Sequence, residues 1–195
     1  MAKYSLGFDF GTESVRVVVV DITDGRVAAQ TVEAYAHGVI DEVLPGSREK
    51  LPPDYALQHP QDWLDSLAAA CKNAVRQSGV EAQEIVGIGV DFTSCTMLPC
   101  RADGTPLCLL DEFRATPLSW AKLWKHHGAK AEAQRINKVA RDRDEKWLAR
   151  YGGAIGLEWF FPKVLETFNH APHVYASADL FIEAGDWLVW QLTSG

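Results

Sequence analysis

The stretch Phe8-Asp9-Phe10-Gly11-Thr12-Glu13-Ser14-Val15-Arg16 decides how this 195-residue chain is read. Upstream of it, Tyr4, Leu6, Phe8 and Phe10 alternate with small or polar residues, the period of a half-buried strand. Downstream, Val15 to Val20 is a β-branched run broken only by Arg16, the pattern of a more deeply buried strand. The link Gly11-Thr12-Glu13 is too short to hold a helix, so the two strands form a hairpin. Asp24-Gly25 is a strong turn signal, and a third strand follows from Val27 to Tyr35.

Further along, residues 37–58 carry three prolines and no clear period, which predicts a long surface loop. Pro60 opens a helix, with Asp62 near its positive end and Gly79 at its stop. Trp63, Leu67, Cys71 and Ala74 recur at helical spacing within it. Ile85 to Val90 is a further strand. It follows a helix and is therefore expected to add in parallel. Thr96 to Cys100 is a fifth strand, closed by Asp103-Gly104. Beyond about residue 115 the pattern turns helical, with helices expected over Leu118–His127, Ala129–Arg150, Pro162–Asn169 and Asp186–Leu192. This order implies an α/β layer fold with a mixed five-stranded sheet flanked by helices.

Composition is that of a globular chain, with 47% hydrophobic and 23% charged residues. A net charge of −7 argues against nucleic acid or anionic membrane as partner. No apolar run reaches the roughly 20 residues that span a bilayer, and the start at Met1 has no signal-peptide core. Cys71, Cys95, Cys100 and Cys108 lack CxxC spacing and read as free thiols of a reducing cytoplasm.

The chemistry concentrates at two strand ends. Gly11 permits a tight turn and close approach of a ligand. Thr12 and Ser14 offer hydroxyls and backbone N–H groups to phosphate oxygens. Asp9 suits a hard cation such as Mg²⁺. Arg16 either sits near the phosphates or leaves a strand face. The bland alternative is a hairpin with polar turn residues. Val90-Asp91-Phe92-Thr93-Ser94 echoes Phe8-Asp9-Phe10-Gly11-Thr12. If the two strands run parallel, Asp9 and Asp91 emerge at one sheet edge, where ligands of α/β sheets gather. Asp9-Phe10-Gly11 spells a protein-kinase metal motif but lacks the glycine-rich loop and His-Arg-Asp that should precede it. There is no GxxxxGK[ST] and no GxGxxG.

Asp9 to Arg16 resembles the first phosphate motif of the FGGY carbohydrate kinases, relatives of actin and hexokinase. Three further stretches resemble the ribulokinase branch of that family: Val90 to Pro99; Lys122 to His127; and Tyr151-Gly152-Gly153-Ala154 with Glu158 to Lys163 and Glu183 to Trp187. The resemblance covers about Tyr4 to Thr193. It implies a ribonuclease-H-like fold and ATP-dependent phosphorylation of a ketopentose, L-ribulose first. Xylulose, ribitol or glycerol as acceptor, or a non-catalytic nucleotide-gated binding module, remain the alternatives. It implies ATP and Mg²⁺ as cofactors, with Gly11, Thr12, Glu13, Ser14 and Arg16 on the phosphates and Asp9 on the metal. Asp91, Ser94, Cys95 and Trp124 fall on the sugar side. The chain then reads as an N-terminal domain incomplete at its C-terminal end. The second domain and the general-base aspartate are expected beyond residue 195, so residues 1–195 alone should be inactive. Sugar and ATP are the expected partners, with a homodimer left open.

Other residues have plainer readings. His126-His127, adjacent on an expected helix, do not face one another and read as a polar surface. The basic excess over residues 122–150 reads as solvated. Cys95 reads as a packed thiol as well as a sugar-side residue. Trp159-Phe160-Phe161 is expected in the core or on a face that meets the second domain.

Overall fold

The computed structural model describes residues 3–193. In chain order its elements are β1 (Tyr4–Phe10), β2 (Ser14–Asp21), β3 (Val27–Ala34), β4 (Leu57–Gln58), α1 (Pro60–Ser78), β5 (Ile85–Phe92), β6 (Met97–Cys100), β7 (Ala121–Lys122), α2 (Lys130–Asp142), α3 (Phe160–His170), α4 (Pro172–Ser177), β8 (Leu180–Glu183) and α5 (Ala184–Thr193). They divide into two compact units. One holds residues 3–39, 59–93 and 188–193; the other holds 40–58 and 94–187.

The first unit is a four-stranded sheet in the order β3-β2-β1-β5. β1, β2 and β3 form the expected antiparallel meander, and β5 adds to β1 in parallel. Alternation puts Leu6, Phe8 and Phe10 on one face with Val15, Val17 and Val19, all buried. α1 covers β2 and β3 with Trp63, Leu67, Ala70 and Ala74. Phe10 stacks on its register partner Phe92 at 5.0 Å, and Trp63 meets Phe92 edge-on at 5.0 Å. Each fully buried aromatic of this kind contributes about 1.5–3 kcal/mol. α1 begins and ends as its sequence signals: Pro60 opens the first turn, the His59 ring accepts from the Gln61 N–H, and Gly79 closes it at φ 67°.

The sheet has four strands rather than five. The expected fifth strand, β6, lies in a second sheet of order β4-β7-β6-β8, antiparallel throughout. Between β5 and β6 the chain turns at Ser94-Cys95, with Cys95 left-handed at φ 63°. β5 is left at the rim of its sheet, with Val86 and Ile88 54% and 57% exposed. An open apolar rim strand is a template for pairing with another chain. Val86→Lys with Ile88→Lys should therefore shift residues 1–195 towards monomer in light scattering at high concentration. An unchanged particle size would remove β5 as the sticking edge.

Three other expectations are corrected in the second unit. Residues 37–58 are not simply a surface loop: Ile40, Leu44, Leu51 and Leu57 pack with Cys108 and Trp120 in a core cluster. Leu118–His127 is not a helix. It holds a short 3₁₀ turn at Pro117–Ser119 and then β7, which pairs with β4 through Leu57↔Lys122 and Gln58↔Ala121. Residues 118–123 are buried without a break, so no polar helix face exists there, and long-range pairing overrides local propensity. Finally, Ala129–Arg150 is two pieces, α2 and a 3₁₀ segment Lys146–Tyr151, separated near Asp144 at φ 52°. The helices near 162–169 and 186–192 are present, slightly longer than expected.

Candidate functional site

The hairpin places its residues as a unit. Asp9 faces Arg16 across the antiparallel pair, and their side chains form an ion pair at 2.6 Å, both about half exposed. The Arg16 guanidinium thus lies on the sheet face that carries Asp9. The Gly11 N–H closes the turn on the Ser14 carbonyl at 2.9 Å. Gly11 does not adopt a left-handed φ; a Cβ there would instead press on Ser14 O at 3.3 Å. Tyr35, buried, buttresses the tip twice. Its hydroxyl donates to Gly11 O at 3.2 Å, and its N–H donates to Glu13 O at 2.9 Å. Burial, then the nearby charges of Asp9 and Asp62, push the Tyr35 phenol up, so it remains a donor. Only the fold brings Tyr35 to the hairpin; no local motif announces it.

Asp9 and Asp91 are register partners on the parallel strands β1 and β5, as Phe10 and Phe92 are. Neighbouring strands lie about 4.8 Å apart. In-register residues share a sheet face, so the two carboxylates stand side by side on the face opposite Phe10 and Phe92. Two hard oxygen donors so placed have the chemistry that a divalent cation such as Mg²⁺ requires. A third cluster, His37, His59 and Asp62, does not. Asp62 accepts from the His37 N–H at 2.8 Å and bonds the His37 ring at 2.9 Å. The two imidazoles stack at 4.6 Å and 10°. With the two ring planes nearly parallel, a cation between them would lie out of the plane of at least one ring; of the three residues, His59 caps α1 through the Gln61 N–H.

In the second unit Ser94 is exposed, Cys95 half-buried, and Trp124 43% exposed on a turn rather than a helix. Burial, and after it the nearby Glu183 carboxylate, push the Cys95 thiol up. Trp159 and Phe160 line a cavity of about 460 Å³ with Cys95, Ile136, Trp147 and Tyr151, and Phe161 is 73% exposed at its edge. The aromatic triplet is thus neither core nor uniformly exposed.

Residues 4–195 match the profile of the N-terminal domain of the FGGY family of carbohydrate kinases. The chain belongs to that family. It is 50% identical over 191 residues to a ribulokinase from Geobacillus thermodenitrificans, covering 98% of this chain and 34% of the relative. A ribulokinase from Mycolicibacterium smegmatis is likewise 50% identical over 192 residues, with 98% and 34% covered. The crystal structure of a gluconate kinase from Lactobacillus acidophilus superposes with a TM-score of 0.70 at 17% identity, over 98% of this chain and 33% of that one. That last likeness shows the fold alone. The chain spans about a third of the length of the curated relatives it matches.

The FGGY domain also contains a buried polar cluster that sequence reasoning missed. His126, expected on a polar surface, is fully buried. Its Nδ1 accepts the Ala56 N–H at 3.3 Å, so Nε2 carries the proton and donates to Glu166 at 2.9 Å. Burial pushes the His126 imidazole down, against the pull of Glu166, so it is neutral. Burial alone would raise Glu166. The hydrogen bond from His126, nearby positive charge and the Tyr55 hydroxyl outweigh it and hold the carboxyl below the usual range. Two buried lysines complete the cluster. Lys122 donates to Leu118 O at 3.1 Å and to Thr167 Oγ1 at 3.0 Å. Lys163 donates to Cys95 O at 2.6 Å and to Leu123 O at 2.7 Å. Burial pushes both ammonium groups down to about 8. Gly128 is required beside them, because a Cβ would fall 2.4 Å from Glu166 Oε1 and 2.8 Å from His126 Nε2. The sequence signal available was weak: Lys163 and Glu166, one turn apart on α3, have the spacing that an exposed helix pair also has.

Proposed function

We propose that the protein carrying this domain transfers the γ-phosphoryl group of ATP to a terminal hydroxyl of a ketopentose, L-ribulose first among them. The observation that carries the reading is 50% identity to ribulokinases across nearly the whole chain. The chemistry of the hairpin supports it. Phosphoryl transfer depends on positioning and on neutralising charge over phosphate oxygens. Gly11, Thr12, Glu13 and Ser14 form the turn that would receive the phosphates, with Arg16 supplying positive charge beside it. Asp9 would hold Mg²⁺, which when bound neutralises phosphate charge; Asp91, expected on the sugar side, is here assigned to the metal with it because the two are register partners. Ser94, Cys95 and Trp124 would shape the sugar side. The proton of the attacking hydroxyl goes to a base that the family resemblance puts outside these residues.

Among the described residues no helix is long and apolar enough to cross a membrane. The test is ADP release by the full-length protein with L-ribulose, D-xylulose, ribitol and glycerol in parallel. L-ribulose should give the largest kcat/KM. A preference for another acceptor moves the protein within the family. No sugar-stimulated turnover with any of them would favour a nucleotide-gated binding module.

A further inference from the structure

Lys163 combines three observations. Its side chain is completely buried on α3. Its ammonium donates short hydrogen bonds to two main-chain carbonyls far apart in sequence, Cys95 O and Leu123 O. One of those carbonyls belongs to a residue held in the left-handed region, where a non-glycine residue is strained by about 1–3 kcal/mol unless its surroundings enforce it. Charge-assisted bonds of this kind are about twice as strong as neutral ones. A buried ammonium without acceptors would be strongly disfavoured. The two carbonyls therefore satisfy the lysine, and the lysine in turn fixes both segments.

Those segments are the ones that carry Ser94, Cys95 and Trp124. We propose that Lys163 is a positioning residue for the acceptor site: its ammonium ties the Ser94-Cys95 turn to the Leu123-Trp124 segment and sets the spacing of the side chains that meet the sugar. This rests on the kinase reading above for the identity of the ligand, but not for the geometry. Lys122 provides the internal comparison. It is equally buried and equally shifted, yet its bonds go to Leu118 and Thr167, outside both segments.

The experiment compares Lys163→Met, Lys163→Gln and Lys122→Met in the full-length protein. Steady-state kinetics are measured with L-ribulose, or whichever acceptor the panel selects. Alkylation of Cys95 by iodoacetamide is followed by peptide mass mapping, with Cys71 as reference. Lys163→Met should raise KM for the sugar about tenfold or more and leave KM for ATP within twofold. By opening the Ser94-Cys95 turn it should speed alkylation of Cys95 relative to Cys71 several-fold, outweighing the loss of the lysine charge that favours the thiolate. Lys163→Gln, which keeps an uncharged donor, should fall between it and the native protein, and it takes its place if the methionine variant does not fold. Lys122→Met should lower the melting temperature while leaving the sugar KM and Cys95 alkylation within twofold. The proposal is overturned if folded Lys163 variants leave Cys95 alkylation and the sugar KM unchanged. It is equally overturned if Lys122→Met produces the same changes, since burial alone would then explain them. If no acceptor is phosphorylated, the kinase reading fails and the alkylation ratio decides the positioning role by itself.

Discussion

Asp9→Asn in the full-length protein should lower turnover about 100-fold or more while the folded state loses little. The substitution keeps shape and removes one charge from the pair of carboxylates at the ends of β1 and β5. If that pair holds the cation that faces the phosphates, the loss falls on the transition state, where charge stabilisation is usually the largest single contribution. A 100-fold effect corresponds to about 2.7 kcal/mol. On the stability side, Asp9 contributes an ion pair with Arg16 that is half open to solvent on both sides. Such pairs contribute about 0–1 kcal/mol. The measurement is kcat by coupled ADP assay beside a urea unfolding curve. Native turnover in a folded Asp9→Asn protein would remove this carboxylate from the site. Asp91→Asn serves as the companion, since its register partner relation to Asp9 predicts a loss in the same step.

Glu166→Ala should be strongly destabilising, by about 3–5 kcal/mol, because it leaves a fully buried histidine without its partner and removes the negative charge beside two buried lysines. Urea unfolding of residues 1–195 at neutral pH reads this directly; a loss below about 1 kcal/mol would mean that the cluster relaxes around the gap. The same group predicts an acid response. Glu166 is held below its unfolded value, so its stabilisation is present above the ordinary carboxylate range and is lost as pH falls through the folded value. His126 is also lowered, so below about pH 6.5 the unfolded chain takes up a proton that the folded chain refuses. Both effects have one sign: stability falls as pH drops from about 6.5. In Glu166→Ala the lower part of that fall should disappear, and its persistence would assign acid sensitivity to other groups.

The contrast between the two halves of the chain has a physical origin. In the first unit, each strand and α1 announces itself locally: alternation in β1, the β-branched run in β2, Asp24-Gly25 between β2 and β3, and Pro60 to Gly79 around α1. Even the parallel placement of β5 follows, because a helix intervenes. The second unit is built from two- and four-residue strands that exist only through their partners. β7 is two residues of a run that reads as helical, and β4 is two residues of a run that reads as loop.

The sequence by itself determined the meander and the parallel return of β5, which brings Asp9 and Asp91 to one sheet edge. Each of these rests on short-range periodicity or turn chemistry that a single chain displays along its length. The tertiary structure alone decided that the sheet stops at four strands and that Ser94-Cys95 turns the chain into a second sheet. It alone decided that His126, Lys122, Lys163 and Glu166 share one buried cluster. Residues 40 and more positions apart meet there, and no periodicity records which buried charge will find which partner. Burying a lysine is unfavourable in isolation, so local propensity argues against it; only the assembled set of carbonyl, carboxylate and hydroxyl acceptors makes it stable.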